Sequence, residues 1–175
     1  GLFTLYAAYK AMYPVDFAAA AGHSSLAIGT ANTFILITSS LTVALSVYAI
    51  RISWGRLAGV LLVLTIVMGG VFLTLKGIEY AAHFHEGIYP GPAYAFAAMP
   101  AFGARMFFTL YYLLTGLHAL HVVAGMVILG VIARGAFRGH YSAAWHTPLE
   151  LGGLYWHLVD IVWIFLWPLL YLAHA

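Results

Sequence analysis

The chain has 175 residues, 64% of them hydrophobic and only 7% charged, with a formal net charge of +2 and a mean hydropathy of +0.96. A soluble domain carries about a quarter charged residues, so the composition excludes an ordinary soluble globule and points to an integral membrane protein. With no cysteine there are no disulfides, no thiolate metal site and no Cys-x-x-Cys-His haem attachment. A nucleic-acid partner is not expected.

The chain opens on Gly1, with no basic segment and cleavage site of the secretory kind. A processed or split amino end, or one with residues missing before it, is expected. Gly1–Met12 is apolar and aromatic but too short to cross a bilayer, and it reads as the second half of a helix that Pro14 ends. Four runs with few or no charges follow, each near the roughly 20 helical residues that a membrane core requires. They are Leu26–Ile50, Leu57–Leu75, Met106–Ala133 and Leu151–Ala173. With their flanks, the spans are expected at about 26–50, 57–80, 102–134 and 150–173, and the helix remnant at 1–13, in one membrane domain covering 1–175. The fold class is an all-α membrane protein, a transmembrane helical bundle of four full spans plus an amino-terminal half-helix.

Arg51 and Arg56 lie between the first two spans, and Arg134 and Arg138 follow the third. The positive-inside rule places both loops in the cytoplasm and the carboxyl end outside. Asp16, Glu86 and the loop with Pro90, Pro92 and Pro100 then face outward, with Arg105 the one basic residue against that bias. Gly55 and Gly59, and the pair Gly69-Gly70, either permit close helix packing or are simply the glycine that membrane helices tolerate.

Lys76 and Glu79 close the second span three residues apart, and a local ion pair at the outer interface, within reach of water, is the plain explanation. His83, one turn on, extends that set, and a proton relay is the competing reading. In the third span His118 and His121 share a face with Thr115. Two histidines on one helical turn do not supply opposite axial ligands to one haem. No Glu-x-x-His motif suits a di-iron bundle, and the one interior candidate for a third copper or zinc ligand is His157. Hydrogen bonds across helices are the reading favoured for both histidines.

The fourth span holds the most informative residue. Asp160 lies about ten positions in, roughly 15 Å deep at 1.5 Å per residue. There a lone carboxylate costs about 2.5–3.5 kcal/mol even on the lenient insertion scale. His157 sits three positions before it and Trp163 three after. Asp160 is therefore expected inside the protein, paired with His157 or with a donor on the third span, with Trp163 on the same seam. On that reading Asp160→Leu harms assembly more than Asp160→Asn. No serine or cysteine nucleophile accompanies the pair in this span. Trp54 and Trp145 are expected at the cytoplasmic edge.

Four segments occur in one order: NTFILITSSLTV (Asn32–Val43), KGIEY (Lys76–Tyr80), TGLHALHVVAG (Thr115–Gly125) and ELGGLYWHLVDIVWIFLWPLLY (Glu150–Tyr171). Together they resemble subunit III of the haem–copper oxidases, as in cytochrome c oxidase. The resemblance implies a non-catalytic subunit of a bacterial proton-pumping terminal oxidase in the respiratory chain, set in the inner membrane. Its partners would be the catalytic subunit I, subunit II and a larger respiratory supercomplex. Haems and copper would belong to the partner subunits, none to this chain, and bound phospholipid is implied. It also implies protection against turnover inactivation and help with proton uptake. By position, Glu79, His118, His121, Glu150, Tyr155, Trp156, His157, Asp160 and Trp163 match the characteristic residues of the family. Gly1–Met12 corresponds to the tail of the third family helix. The glutamate of that helix falls before Gly1, and the first two helices, half of the lipid cleft, are expected to be absent.

Within the same family, subunit III of a quinol oxidase and the accessory protein of nitric oxide reductase are the alternatives. A different class, a small transporter or channel relaying through His118, His121, His157 and Asp160, lacks the inverted repeat or paired helix breaks of transporters. A haem-binding membrane anchor requires histidines on two facing helices at similar depth.

Overall fold

The computed structural model describes residues 1–172. Ala173, the last residue of the expected fourth span, and the carboxyl end expected outside lie beyond the described residues. Among the described residues there are six α-helices and one short 3-10 turn, with no strand: α1 (Leu2–Met12), α2 (Pro14–His23), α3 (Leu26–Arg51), α4 (Gly55–His85), the turn Gly91–Ala93, α5 (Phe102–Phe137) and α6 (Thr147–Tyr171). Helices α3, α4, α5 and α6 are the four long and apolar enough to cross a membrane. The protein is an all-α membrane protein.

The sequence reading gave residues 14–23 no element, yet they form α2. Pro14 ends α1, but at the first position of α2 its fixed φ and missing N–H cost nothing. Asp16 then complements the helix amino end, and an alanine run sustains it. Helix α4 runs to His85, past the expected boundary near residue 80, so Lys76 and Glu79 lie within the helix and not at its end. Helices α4 and α5 stop at glycines in the left-handed region, Gly87 (φ 81°) and Gly139 (φ 71°). At the end of α3 a serine, Ser53 (φ 63°), takes that conformation, which costs a residue with a Cβ about 1–2 kcal/mol.

The chain divides into two compact units. The first contains Gly1–Ala31, Leu75–Leu117 and the described part of Ile164–Ala175. In it Tyr6, Phe17 and Phe107 are fully buried and pack ring to ring, with centroids 5.3–6.3 Å apart. The Tyr6 hydroxyl donates to the Leu169 carbonyl at 2.6 Å, satisfying an acceptor near the α6 carboxyl end. The second unit contains Asn32–Thr74 and His118–Trp163. Here α3 turns Leu36, Ser39, Val43, Ser46 and Ile50 inward at helical spacing. Its contacts with α6 fall in reverse order along the two helices, Thr33 with Trp163, Ser39 with Trp156 and Arg51 with Glu150, so this pair is antiparallel.

Candidate functional site

The first unit holds a buried ion pair. Lys76 Nζ donates to Glu79 Oε2, to the Tyr111 hydroxyl and to the Tyr171 hydroxyl, each at 2.8 Å, so its three protons are all engaged. The Tyr171 hydroxyl in turn donates to Glu79 at 2.8 Å. The side chains of Lys76 and Glu79 are only 5% and 2% exposed, which corrects the reading of a pair at a water-washed helix end. The physical reason is the length of α4, which carries the pair about two turns inside the helix. Beside it, Tyr80 and Thr115 share a hydrogen bond. His83 is buried with its ring 5.6 Å from those of Phe108 and Tyr111. Nearer the surface His23 Nε2 pairs with Glu86 at 2.6 Å.

In the second unit Trp156 is fully buried, and its indole N–H donates to Ser39 Oγ at 3.0 Å. The ring occupies a slot whose walls are glycines: a Cβ on Gly69 would come within 2.9 Å of it, and one on Gly125 within 2.8 Å. Trp163, also fully buried, donates to Thr33 Oγ1 at 3.1 Å and lies between Phe72 and His118, with centroids 4.8 and 5.1 Å away. Both indoles thus bind α6 to hydroxyls of α3, which is how polar groups join helices where water is scarce.

His118 and His121, expected on one face, part company. His118 is buried and His121 exposed, since positions three apart on a helix differ by about 60° in direction. The Tyr155 hydroxyl reaches the His121 carbonyl at 3.4 Å. Glu150 pairs with Arg51 at 2.5 Å and His146 at 3.2 Å, in partly exposed positions. Trp54 and Trp145 are exposed.

Asp160 is buried as expected, at 3% exposure, but the expected pairing with His157 is absent. His157 turns toward α3, where its Nδ1 and Ser40 Oγ share a hydrogen bond at 2.5 Å. Neither Asp160 oxygen makes a hydrogen bond among the described residues. With no partner left stranded, Asp160→Leu is expected to keep the subunit assembled and to stabilise it by up to about 1–3 kcal/mol, the penalty of an unsatisfied buried polar group, whereas Asp160→Asn leaves an unsatisfied amide in its place. Detergent-resistant retention in the complex measures this, and a leucine variant that dissociates more readily than wild type contradicts it.

Sequence reasoning missed Thr33, Ser39 and Ser40, whose signal was hydroxyls inside an otherwise apolar span. It also missed Tyr111 and Tyr171, which carried no signal, because tyrosine is ordinary near membrane interfaces. Among the described residues no group of three His, Cys, Asp or Glu converges as a metal site requires.

Four long apolar helices, joined inside each unit by buried hydroxyl, indole and ion-pair contacts, define a multi-pass helical membrane protein. The cytochrome c oxidase subunit III family matches residues 21–174. Among similar curated proteins are cytochrome c oxidase subunit 3 of Synechocystis sp., 34% identical over 98% of this chain and 68% of that one. That of Thermostichus vulcanus is 34% identical over 98% of this chain and 78% of its own. That of Gadus morhua is 31% identical over 80% and 48%. The chain belongs to the cytochrome c oxidase subunit III family. Its place is in a haem–copper oxidase, and the oxidoreductase is the complex as a whole.

Proposed function

We propose that this chain is a non-catalytic subunit of a bacterial, proton-pumping terminal oxidase that accepts electrons from cytochrome c, seated against the catalytic subunit I with subunit II in the same assembly. It holds no redox centre of its own; haems and copper reside in its partners. The observation that carries this reading is the use made of the polar side chains. Lys76, Glu79, Trp156 and Trp163 are buried and tied to other helices, with none arranged around a reacting atom. Curated relatives bearing the cytochrome c oxidase name support the electron donor.

The arginines of the α3–α4 and α5–α6 connections support an orientation in the cytoplasmic membrane with the carboxyl end outside. Phospholipid is held against the subunit, and the groove between α3 and α6, apolar along Val47 and Leu154 with Arg51 at its end, supports this. The subunit stabilises subunit I during turnover and assists its proton uptake.

An oxidase assembled without this chain is expected to keep its haem spectrum and its initial rate, then to lose activity progressively under sustained turnover. The separated subunit is expected to carry no haem or copper by absorption and elemental analysis. Loss of haem from the depleted complex, or failure of its first turnover, overturns the supporting role.

A further inference from the structure

The buried ion pair of the first unit lies at one end of a continuous series of tyrosine rings, all within that unit. Tyr111 and Tyr171, 0% and 1% exposed, have ring centroids 6.4 Å apart and hydroxyls 3.5 Å apart. From Tyr111 the series divides, to Tyr112 at 5.4 Å and to Tyr80 at 6.0 Å, and these two rings meet each other at 4.9 Å. Tyr112 stacks on Phe84 at 5.5 Å, and Phe84 stacks on Tyr89 at 5.4 Å. Tyr89, 39% exposed, ends the series at the surface just beyond α4.

Packing needs the rings and not the hydroxyls, each of which must be satisfied when buried. A phenol differs from the ring of phenylalanine in giving up one electron readily, provided that its proton has an acceptor. The two ends of the series provide one. At the inner end the Tyr171 hydroxyl donates to the Glu79 carboxylate at 2.8 Å. At the outer end Tyr89 is open to water. Between them the Tyr112 hydroxyl donates to the Ile88 carbonyl at 2.9 Å, an acceptor too weak to keep a proton. The Lys76 ammonium stands 4.7 Å from the centre of the Tyr111 ring, 5.5 Å from that of Tyr171 and 5.6 Å from that of Tyr80. A fixed cation so close repels any further positive charge on those rings and favours its passage toward Tyr89.

We propose that these tyrosines form an electron path by which the subunit quenches peroxyl radicals arising in the bilayer, with a water-soluble one-electron reductant as the final donor at Tyr89. The peroxyl radical takes an electron from Tyr171 across a short stretch of packed protein and a proton from water, and ends as a hydroperoxide. The Tyr171 phenol proton moves to Glu79. An electron then passes inward from ring to ring, Tyr171 recovers its proton from Glu79, and the vacancy comes to rest on Tyr89, whose phenol proton leaves to water. The reductant returns one electron to Tyr89 and water returns the proton. The net change is one electron and one proton from the reductant to the peroxyl radical, with every tyrosine restored. The path uses these rings alone, so the supporting role proposed above holds or fails without it.

The test uses the intact oxidase in phosphatidylcholine vesicles, with peroxyl radicals generated inside the bilayer by a lipid-soluble azo initiator and ascorbate added only to the water. Oxidised tyrosines of this chain are then located residue by residue by mass spectrometry. Without ascorbate, hydroxylated or cross-linked Tyr111 and Tyr171 are expected. With ascorbate, those marks are expected to be suppressed in the wild type and to persist in Tyr80→Phe/Tyr112→Phe, which cuts both branches. Tyr89→Phe, a surface substitution that removes the terminus, serves where the double variant fails to assemble, and the marks are expected to persist there too. Absence of marks on Tyr111 and Tyr171 without ascorbate overturns the proposal. So does suppression by ascorbate that is equal in the wild type and in whichever variant assembles.

Discussion

Replacing Trp156 with alanine is expected to destabilise the subunit by about 3–5 kcal/mol and to release it from the oxidase in detergent that the wild-type complex withstands. The indole is fully buried, so the substitution removes its burial and leaves a cavity that the rigid helices around it fill only in part. It also removes the donor to Ser39 Oγ. That loss is the smaller part, because the Ser39 hydroxyl still donates to the Leu36 carbonyl at 2.7 Å. Trp156→Phe is therefore expected to be milder than Trp156→Ala. The slot can also be closed from the other side. Gly125→Ala places a methyl group against the ring face, within 2.8 Å before relaxation. Overpacking of that kind costs about 1–3 kcal/mol. Retention of the subunit against rising detergent, read for all three variants, measures the series. An alanine variant as resistant as wild type contradicts the slot as a main source of stability.

Lys76→Met is expected to cost about 3–5 kcal/mol, the usual penalty for breaking a buried ion pair by removing one partner. Nothing else in the cluster replaces the ammonium: Glu79 would keep only the Tyr171 hydroxyl as donor, and Tyr111 would lose its hydrogen bond from Lys76. Glu79→Gln, which keeps an acceptor for both, is expected to be milder. The double variant Lys76→Met/Glu79→Leu is expected to recover most of the loss, since two apolar groups of similar size need no partners. A double-mutant cycle on thermal dissociation of the complex gives the coupling directly. Additive losses in the double variant would show that the tyrosines, and not the pair, carry the energy. The pair is internal to α4; what it contributes to packing is the fastening of that helix to α5 through Tyr111 and to α6 through Tyr171.

How legible this was from the residues differs from one element to another. The four membrane helices follow from hydropathy alone, because a helix that satisfies its own backbone needs only a long enough apolar run. Their ends were less legible. Helix α4 continues through Lys76 and Glu79 because those polar groups are satisfied inside the protein, a fact that a hydropathy window does not register. Helix α2 escaped because Pro14 marks both the end of one helix and the start of the next. The oxidase family was legible from four motifs in order, which the family match over residues 21–174 bears out.

What the sequence by itself determined is thus the class of protein, its four membrane helices and its family, all properties of composition and of residues near one another along the chain. What only the tertiary structure decided is which polar groups meet. Asp160 and His157 are three residues apart, yet His157 bonds Ser40, more than a hundred residues earlier. His118 and His121 have the same spacing, yet one is buried and the other exposed. An offset of three residues leaves two side chains about 60° apart around the helix. That angle is small enough to suggest a shared face in the sequence and large enough for a neighbouring helix to claim one of them and leave the other.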